Sequence, residues 1–428
     1  MADSAHVRAP LRVLVSEGSS TSAREAVTIL GLSGHIVEVC DPDPYCLARF
    51  SRFVEKFHRC PGLRDDPAGF LRFVEQLLAA QHFDVLLPTH EQGFLFARVR
   101  QRLEHRTGLA LSGFESYRTA HSKAGFSRLL DQMGLPQPAT RIVGSEAELR
   151  GAVRFPCLVK TSVGTASRGV WFVHGESELE AALQDLHASD AFAGEVLVQD
   201  FVAGSVEKAQ AVFCRGALLG FHAYRQIAAG AGGGEAVKQS TQRLEVRAHL
   251  AAIGDKLAWH GALSVDYIVP EEGGAPLLID CNPRLVEPMS AYLAGLDLVG
   301  LLLRISLLPV PLFPVPLGET PAAAPESRAG VRTHLAIQAL LGSAARDGTR
   351  RGIVGECWRL LRGSGPYAGS TEELTPVRLD WVSFVPLATV AIVLLAAPKL
   401  AAPLARKGWG AHLLDIASIR RIASEDFR

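Results

Sequence analysis

The segment Leu263–Pro288, LSVDYIVPEEGGAPLLIDCNPRLVEP, holds oxygen-bearing side chains at spacings that suit metal and phosphoryl chemistry. It predicts two strands joined by a Gly-rich turn at Glu271–Gly274. Asp266 falls near the end of the first strand, and Asp280 and Asn282 end the second. Residues i and i+2 of a strand share a face, so Asp280 and Asn282 project together. Hairpin pairing brings Asp266 beside them. Two carboxylates and an amide oxygen suit a hard divalent cation that also holds phosphate oxygens and water. Arg284 continues the same face if the strand persists, where a guanidinium grips a phosphoryl group bidentately. The bland alternative is a solvated surface hairpin. Against it, Leu263–Val265 and Leu277–Ile279 are apolar, so the polar cluster ends a buried strand pair and is costly there unless it binds something.

A second segment, Arg154–Val173 (RFPCLVKTSVGTASRGVWFV), predicts a strand ending at Lys160. A small-residue loop, Thr161–Gly169, and a further strand follow. Backbone amides of such a loop can close over phosphates beside the lysine. It is not a Walker A loop, because no GK[ST] follows. The turn after the first strand, EGSSTS, lacks GxGxxG. A dinucleotide-dependent oxidoreductase, suggested by Asp41 at the end of the second strand, is therefore disfavoured. A third segment, Glu195–Val202 (EVLVQDFV), predicts a strand whose end can offer backbone groups to a heterocycle, with Leu197 and Phe201 packing on its ring.

These segments need elements to hold them. The first third alternates short apolar strands (Leu11–Ser16, Ile36–Cys40, Asp84–Pro88, Leu109–Ser112) with helices (Thr21–Leu32, Pro67–Gln81, Glu91–Arg106). Such alternation predicts a parallel sheet covered on both faces. A helix over Ser122–Met133 ends at Gly134, and a less regular α+β region follows. Leu308–Pro325, rich in Pro and Ala, is expected to wrap over the surface. The expected division is 1–115, 116–310 and 311–428. The 428 residues hold 44 Lys+Arg and 44 Asp+Glu, so no net basic field attracts nucleic acid. Seven scattered cysteines without a CxxC pair give neither a disulfide framework nor a zinc knuckle.

In this order and spacing, the three segments resemble the ATP-grasp superfamily of carboxylate–amine ligases and carbamoyl-phosphate-synthase-like enzymes. The resemblance runs from about Leu11 to Ser306. It implies an α/β pre-ATP-grasp (Rossmann-like) domain followed by an α+β ATP-grasp domain, with a helical, hydrophobic C-terminal extension. HSKAGFSRLLDQMGLPQP places Lys123 at the phosphate-contacting basic position. PCLVKTSVGTASRGV places Lys160 as the ATP lysine. VLVQDFVAGSVEKAQAVF places Gln199, Asp200, Phe201 and Val202 on the adenine hinge and Glu207 as the ribose-proximal acid. SVDYIV and LLIDCNPR place Asp266, Asp280 and Asn282 as metal ligands and Arg284 as the phosphoryl-stabilising arginine. Gln199 departs from the Glu of many members, and both metal acids are Asp where many use Glu. The loop Ile227–Thr241 resembles the flexible substrate-side loop, with Lys238 and Arg225 facing the acceptor. Cys281, opposite Asp280, is expected to fill the core.

The resemblance implies a ligase that uses ATP and Mg²⁺ (or Mn²⁺). It joins a small carboxylate to an amine or thiol acceptor through an acyl phosphate. The alternatives are a carboxylating enzyme working through carboxyphosphate, and a nucleotide-binding membrane scaffold with a degenerate site. A cytoplasmic location and a homodimer are expected. The C-terminal hundred residues add a membrane question. Trp381–Pro398 carries no charge, and Arg346–Arg362 carries five arginines among apolar residues. Trp381–Leu404 is long enough to span a bilayer, with Trp381 and Trp409 as flanking anchors. Basic residues on both flanks (Arg359, Arg362 and Arg378; Arg406, Lys407, Arg420 and Arg421) oppose a single span. The expected arrangement is monotopic, at the cytoplasmic membrane face, against a buried Pro-kinked helix as the soluble alternative.

Overall fold

The computed structural model describes residues 9–164, 168–308, 324–374, 379–407, 412–425 and 427. Residues 309–323 of the Pro/Ala-rich stretch, 165–167 of the small-residue loop, Arg378 and Trp409 lie outside the described residues.

Four strands form the first sheet: β1 (Arg12–Val15), β2 (Ile36–Asp41), β3 (Val54–Arg59) and β4 (Val85–Leu87). Their order is β3-β2-β1-β4 and every pairing is parallel. The central strands are buried and mainly apolar, with Glu38 and Asp41 of β2 the buried acids, as a sheet covered on both faces requires. Helix Thr21–Leu32 starts where Ser20 Oγ accepts from the Ala23 N–H (3.0 Å), and helix Pro67–Ala80 where Asp66 accepts from Gly69 (2.7 Å). Three local expectations change. VEKFHR, with no apolar period, forms the edge strand β3, where charged residues are tolerated. The helix expected over 91–106 breaks at Val99 into Gln92–Arg98 and Arg100–Glu104. The strand expected over 109–112 is not one; Gly108 makes an isolated bridge to Val85.

Helices Phe114–His121 and Lys123–Met133 lead to the second sheet, the latter closed by Gly134 at a φ of 63°. That sheet holds β5 (Thr140–Val143), β6 (Cys157–Thr161), β7 (Val170–Val173) and β8 (Val196–Asp200), antiparallel in the order β5-β8-β6-β7. The third sheet holds β9 (Gly204–Cys214), β10 (Ala217–Ala229), β11 (Glu235–Thr241), β12 (Gly261–Pro270), β13 (Leu277–Asn282), β14 (Arg332–His334) and β15 (Ser370–Glu372). Its order is β13-β12-β9-β10-β11-β14-β15. The region expected as a flexible loop over 227–241 is instead most of a β10–β11 hairpin turning at 230–234.

The C-terminal part adds β14 and β15 to this sheet. Helices Ala336–Asp347, Arg350–Arg362, Phe384–Ala396 and Ala401–Lys407 close a small apolar cluster around Leu340, Leu341, Ile353 and Leu394. The uncharged stretch is interrupted: a 3-10 turn at Trp381–Ser383, a 13-residue helix, then a break at Pro398. Thirteen residues rise about 20 Å, short of the ~30 Å hydrocarbon thickness. No helix among the described residues is long and apolar enough to cross a membrane. The last helix, Ile416–Ser424, returns to the first sheet, where Leu414 N–H donates to Glu91 (2.7 Å) and Ile422 is fully buried.

Arg24 and Asp380 tie the first helix to the C-terminal part by a 2.8 Å ion pair with no exposed side-chain surface. Removing one partner strands a buried charge, at a cost of about 3–5 kcal/mol. Asp380→Ala is therefore expected to lower the unfolding free energy, read from urea titrations, by that amount, and Arg24→Met/Asp380→Leu to recover most of it. Equal losses for the single and double variants would contradict this reading.

Candidate active site at the junction of two sheets

Strand register decides the site. Lys208 of β9 pairs with Asp266 of β12, and Asp266 pairs with Asp280 of β13. Directly opposed residues share a sheet face, so the three charges form one row. Asn282 lies two residues along β13, opposite Ser264. Burial raises the Asp266 carboxyl to about 6, opposed by Lys208 and reinforced by Asp280. Cys281 is buried on the other side of the strand, as expected.

Two lysines reach this hairpin from the second sheet and the helix before it. Lys123 opens helix Lys123–Met133, whose cap is Ser122 Oγ accepting from Gly125 N–H (3.0 Å). Its Nζ lies 3.3 Å from Asp280 Oδ2 and donates to the Gly164 carbonyl at 2.6 Å. Lys160 leaves β6 and donates to Gln199 Oε1 at 2.6 Å and to the Ile279 carbonyl at 3.4 Å. It thereby touches β8 and β13 together. Burial lowers its amine to about 8, against the pull of Asp280. Lys123, Lys160, Gln199, Asp266 and Asp280 are thus drawn to one seam between the two sheets.

The other predicted residues are placed differently. Gln199 Nε2 donates to Thr140 Oγ1 (3.0 Å), so its amide is held between Lys160 and β5. Asp200 pairs with Arg141 at 2.9 Å, and its N–H donates to Ala139. The Phe201 N–H donates to the Pro156 carbonyl, and its exposed ring lies 4.9 Å from that of Phe172. Val202 is half-buried beside it. Glu207 is opposite Tyr267 and outside the row. Its carboxylate accepts two hydrogen bonds from Arg243 (2.7 and 2.6 Å) and one from Tyr267 (3.0 Å). β13 ends at Asn282, so Arg284 does not continue its face as the sequence suggested. It is buried, and its charge bears on His90, Glu91, Tyr117 and His121 at the first sheet. Arg225 is exposed and donates to Gln239 (3.0 Å). Lys238 faces no open acceptor site, because β11 is interior to the sheet and buries it. It pairs there with Glu287 and, at 2.7 Å, with Glu373.

Sequence reasoning passed over two acidic groupings. Glu25, Glu287 and Glu373 surround Lys238. Glu287 holds a left-handed φ of 56°, its N–H donating to Ser22 Oγ (3.0 Å). Glu17, Asp41 and His412 also converge, with ligand atoms within 4.8 Å of one another. The strand-end position of Glu17 and Asp41, where doubly wound sheets open their crevices, was a usable signal. Both carboxylates are satisfied by the protein: Asp41 by Gly18 N–H (2.8 Å) and Ser19 Oγ (2.9 Å), Glu17 by Ser19 N–H (2.7 Å) and Thr89 Oγ1 (3.0 Å). His412 Nε2 lies 3.2 Å from Asp41 and docks the C-terminal segment.

Comparison with solved structures fixes the fold. An N5-carboxyaminoimidazole ribonucleotide synthetase, solved as its ADP complex, superposes with a TM-score of 0.57 at 16% identity, covering 80% of this chain and 86% of that one. The L-amino acid ligase from Bacillus licheniformis superposes at 0.56 and 18% identity, covering 71% and 76%. The chain has the ATP-grasp fold. No family model matches the chain. Among curated proteins, the carbamoyl phosphate synthase large chain of Deinococcus radiodurans is 25% identical over 191 residues, 40% of this chain. The match spans only 18% of that relative's length.

In this candidate site, the Asp266 carboxyl has its folded pKa above its unfolded value. Its contribution to stability is full below about pH 4 and is lost as pH rises through about 6. Asp266→Asn is expected to stabilise the divalent-free protein by about 1–2 kcal/mol at pH 7.5 and by little at pH 4. Urea titrations at both pH values check this; destabilisation at pH 7.5 would contradict it.

Proposed function

We propose that this chain is an ATP-dependent, ADP-forming ligase that activates a small carboxylate as an acyl phosphate and transfers it to an amine or thiol. The supporting observation is the Lys208–Asp266–Asp280 row with Lys123 and Lys160 converging on it from the neighbouring sheet. The two adjacent carboxylates and the Asn282 amide form a donor set that suits Mg²⁺ or Mn²⁺. Burial, with Asp280 adding to it, raises the Asp266 carboxyl, and a bound cation would favour its charged form. A bound divalent ion would supply charge neutralisation between phosphate oxygens.

In this reading Lys123 and Lys160 hold the phosphates. The 199–202 segment carries the base, with the Phe201–Phe172 pair as an apolar rim. Glu207 is already held by Arg243, so a ribose contact requires that pair to open. A substrate carboxylate oxygen attacks the γ-phosphorus in line and ADP leaves. The acceptor then attacks the acyl carbon and phosphate leaves. Arg284, two residues past β13 in a pocket shared with Leu87 and His90, is the cation assigned to hold the carboxylate or the transferred group. The division at 1–115, 116–310 and 311–428 belongs to the same reading, with β14 and β15 lent to the central sheet by the last part.

The test is a screen of amino acids and other carboxylates for ADP release, with hydroxylamine trapping of the acyl phosphate. Asp280→Ala and Lys160→Ala are expected to lower turnover by about 10²–10³-fold while the fold is retained. Strictly bicarbonate-dependent release would indicate a carboxylating enzyme instead. No turnover with any substrate, or turnover that survives both substitutions, would overturn the proposed site.

A further inference from the structure

The C-terminal helices carry a surface that the ligase reading does not use. Helix Phe384–Ala396 turns Leu387, Val390, Ala391, Leu394 and Leu395 to its own small core. A helix on a protein surface normally has a polar opposite face. Here the outward stripe is Val385, Thr389, Ile392 and Ala396, with Phe384 beside it. The one hydroxyl in that stripe, of Thr389, donates back to the Val385 carbonyl at 2.8 Å. The outward face therefore offers water almost no partner.

Helix Arg350–Arg362 repeats the pattern. Ile353, Cys357 and Leu360 face inward, while Val354, Trp358 and Leu361 form a second, exposed stripe. Leu361 is 79% exposed, Trp381 68% and Ile392 66%. Two helices that share one core and each expose an apolar stripe mark an interaction surface.

Charge selects the partner. Arg350, Arg351, Arg359 and Arg362 are exposed on the second helix, Arg346 on the helix before it and Lys399 in the turn after Ala396. Asp347 is the one exposed acid among their described residues; Glu356 is buried and bonded to Arg359 and Tyr367. The Arg350 guanidinium donates to the Ala396 carbonyl at 3.0 Å, so a cation sits at the end of the apolar helix. Arg362 lies 4.4 Å over the Trp358 ring. Aromatic and aliphatic residues bordered by arginines suit an anionic lipid surface, with rings at the headgroup level.

We propose that this face docks on anionic membranes in the interfacial plane, without spanning them. The inference is independent of the ligase reading. The test is sedimentation of the full chain with phosphatidylcholine vesicles, with and without 30% phosphatidylglycerol (about 30%, an anionic fraction large enough to attract a basic patch), alongside sedimentation velocity in buffer. The native chain is expected to pellet with the anionic vesicles, less so in high salt. Arg351→Glu/Arg362→Glu should weaken binding by roughly fivefold or more per site. Ile392→Asp should release it, with an unchanged circular dichroism spectrum. Recovery in the supernatant with both vesicles would overturn the proposal, as would equal binding to both. A dimer in buffer that Ile392→Asp dissociates, without vesicle binding, would assign the face to a second copy and overturn it as well.

Discussion

Antiparallel pairing of β12 with β13 sets Asp266 directly against Asp280, and the rest of the site is arranged around that repulsion. Like charges in directly opposed positions destabilise a sheet. Lys208 of β9 compensates from one side of the row and Lys123 from the other. Lys160 completes the arrangement from another sheet, and its amine loses basicity through burial. Lys208 also pairs with Glu235 at 2.7 Å, so three cations meet three carboxylates within the protein.

A second buried network holds the parts of the chain together. Lys238 is surrounded by Glu287 and Glu373, with Glu25 adding a third carboxyl. One cation cannot neutralise three carboxylates, and burial raises both Glu25 and Glu373. Glu372, next in the chain, is pushed to about 8 by burial. These acids come from the first helix, the segment after β13 and the end of β15. The network therefore joins the N-terminal sheet, the β12–β13 hairpin and the C-terminal part. Arg24–Asp380 and His412–Asp41 reinforce the same junction.

The sequence was legible where local pattern and structure coincide. Helix Thr21–Leu32 and the β12–β13 hairpin follow from periodicity and turn residues, and the hairpin alone brings Asp266 to Asp280. Lys160 was legible as the end of an apolar strand. Long-range pairing was not legible. Nothing local shows that Arg243 will occupy Glu207, that Lys238 will be buried in an interior strand, or that Arg284 will line a pocket with His90. The same limit hid Glu25 and Glu373, which look like ordinary helix and edge-strand acids. It also left the uncharged stretch ambiguous, because only tertiary packing shows it to be a short helix with one apolar face outward.

The most direct measurement is anomalous diffraction from crystals grown with ADP and Mn²⁺. The account predicts a manganese peak at carboxylate bonding distance from Asp280, with Asp266 or Asn282 in its coordination and the phosphates against Lys123 and Lys160. Nucleotide bound elsewhere, or manganese seated away from the β12–β13 hairpin, would contradict it.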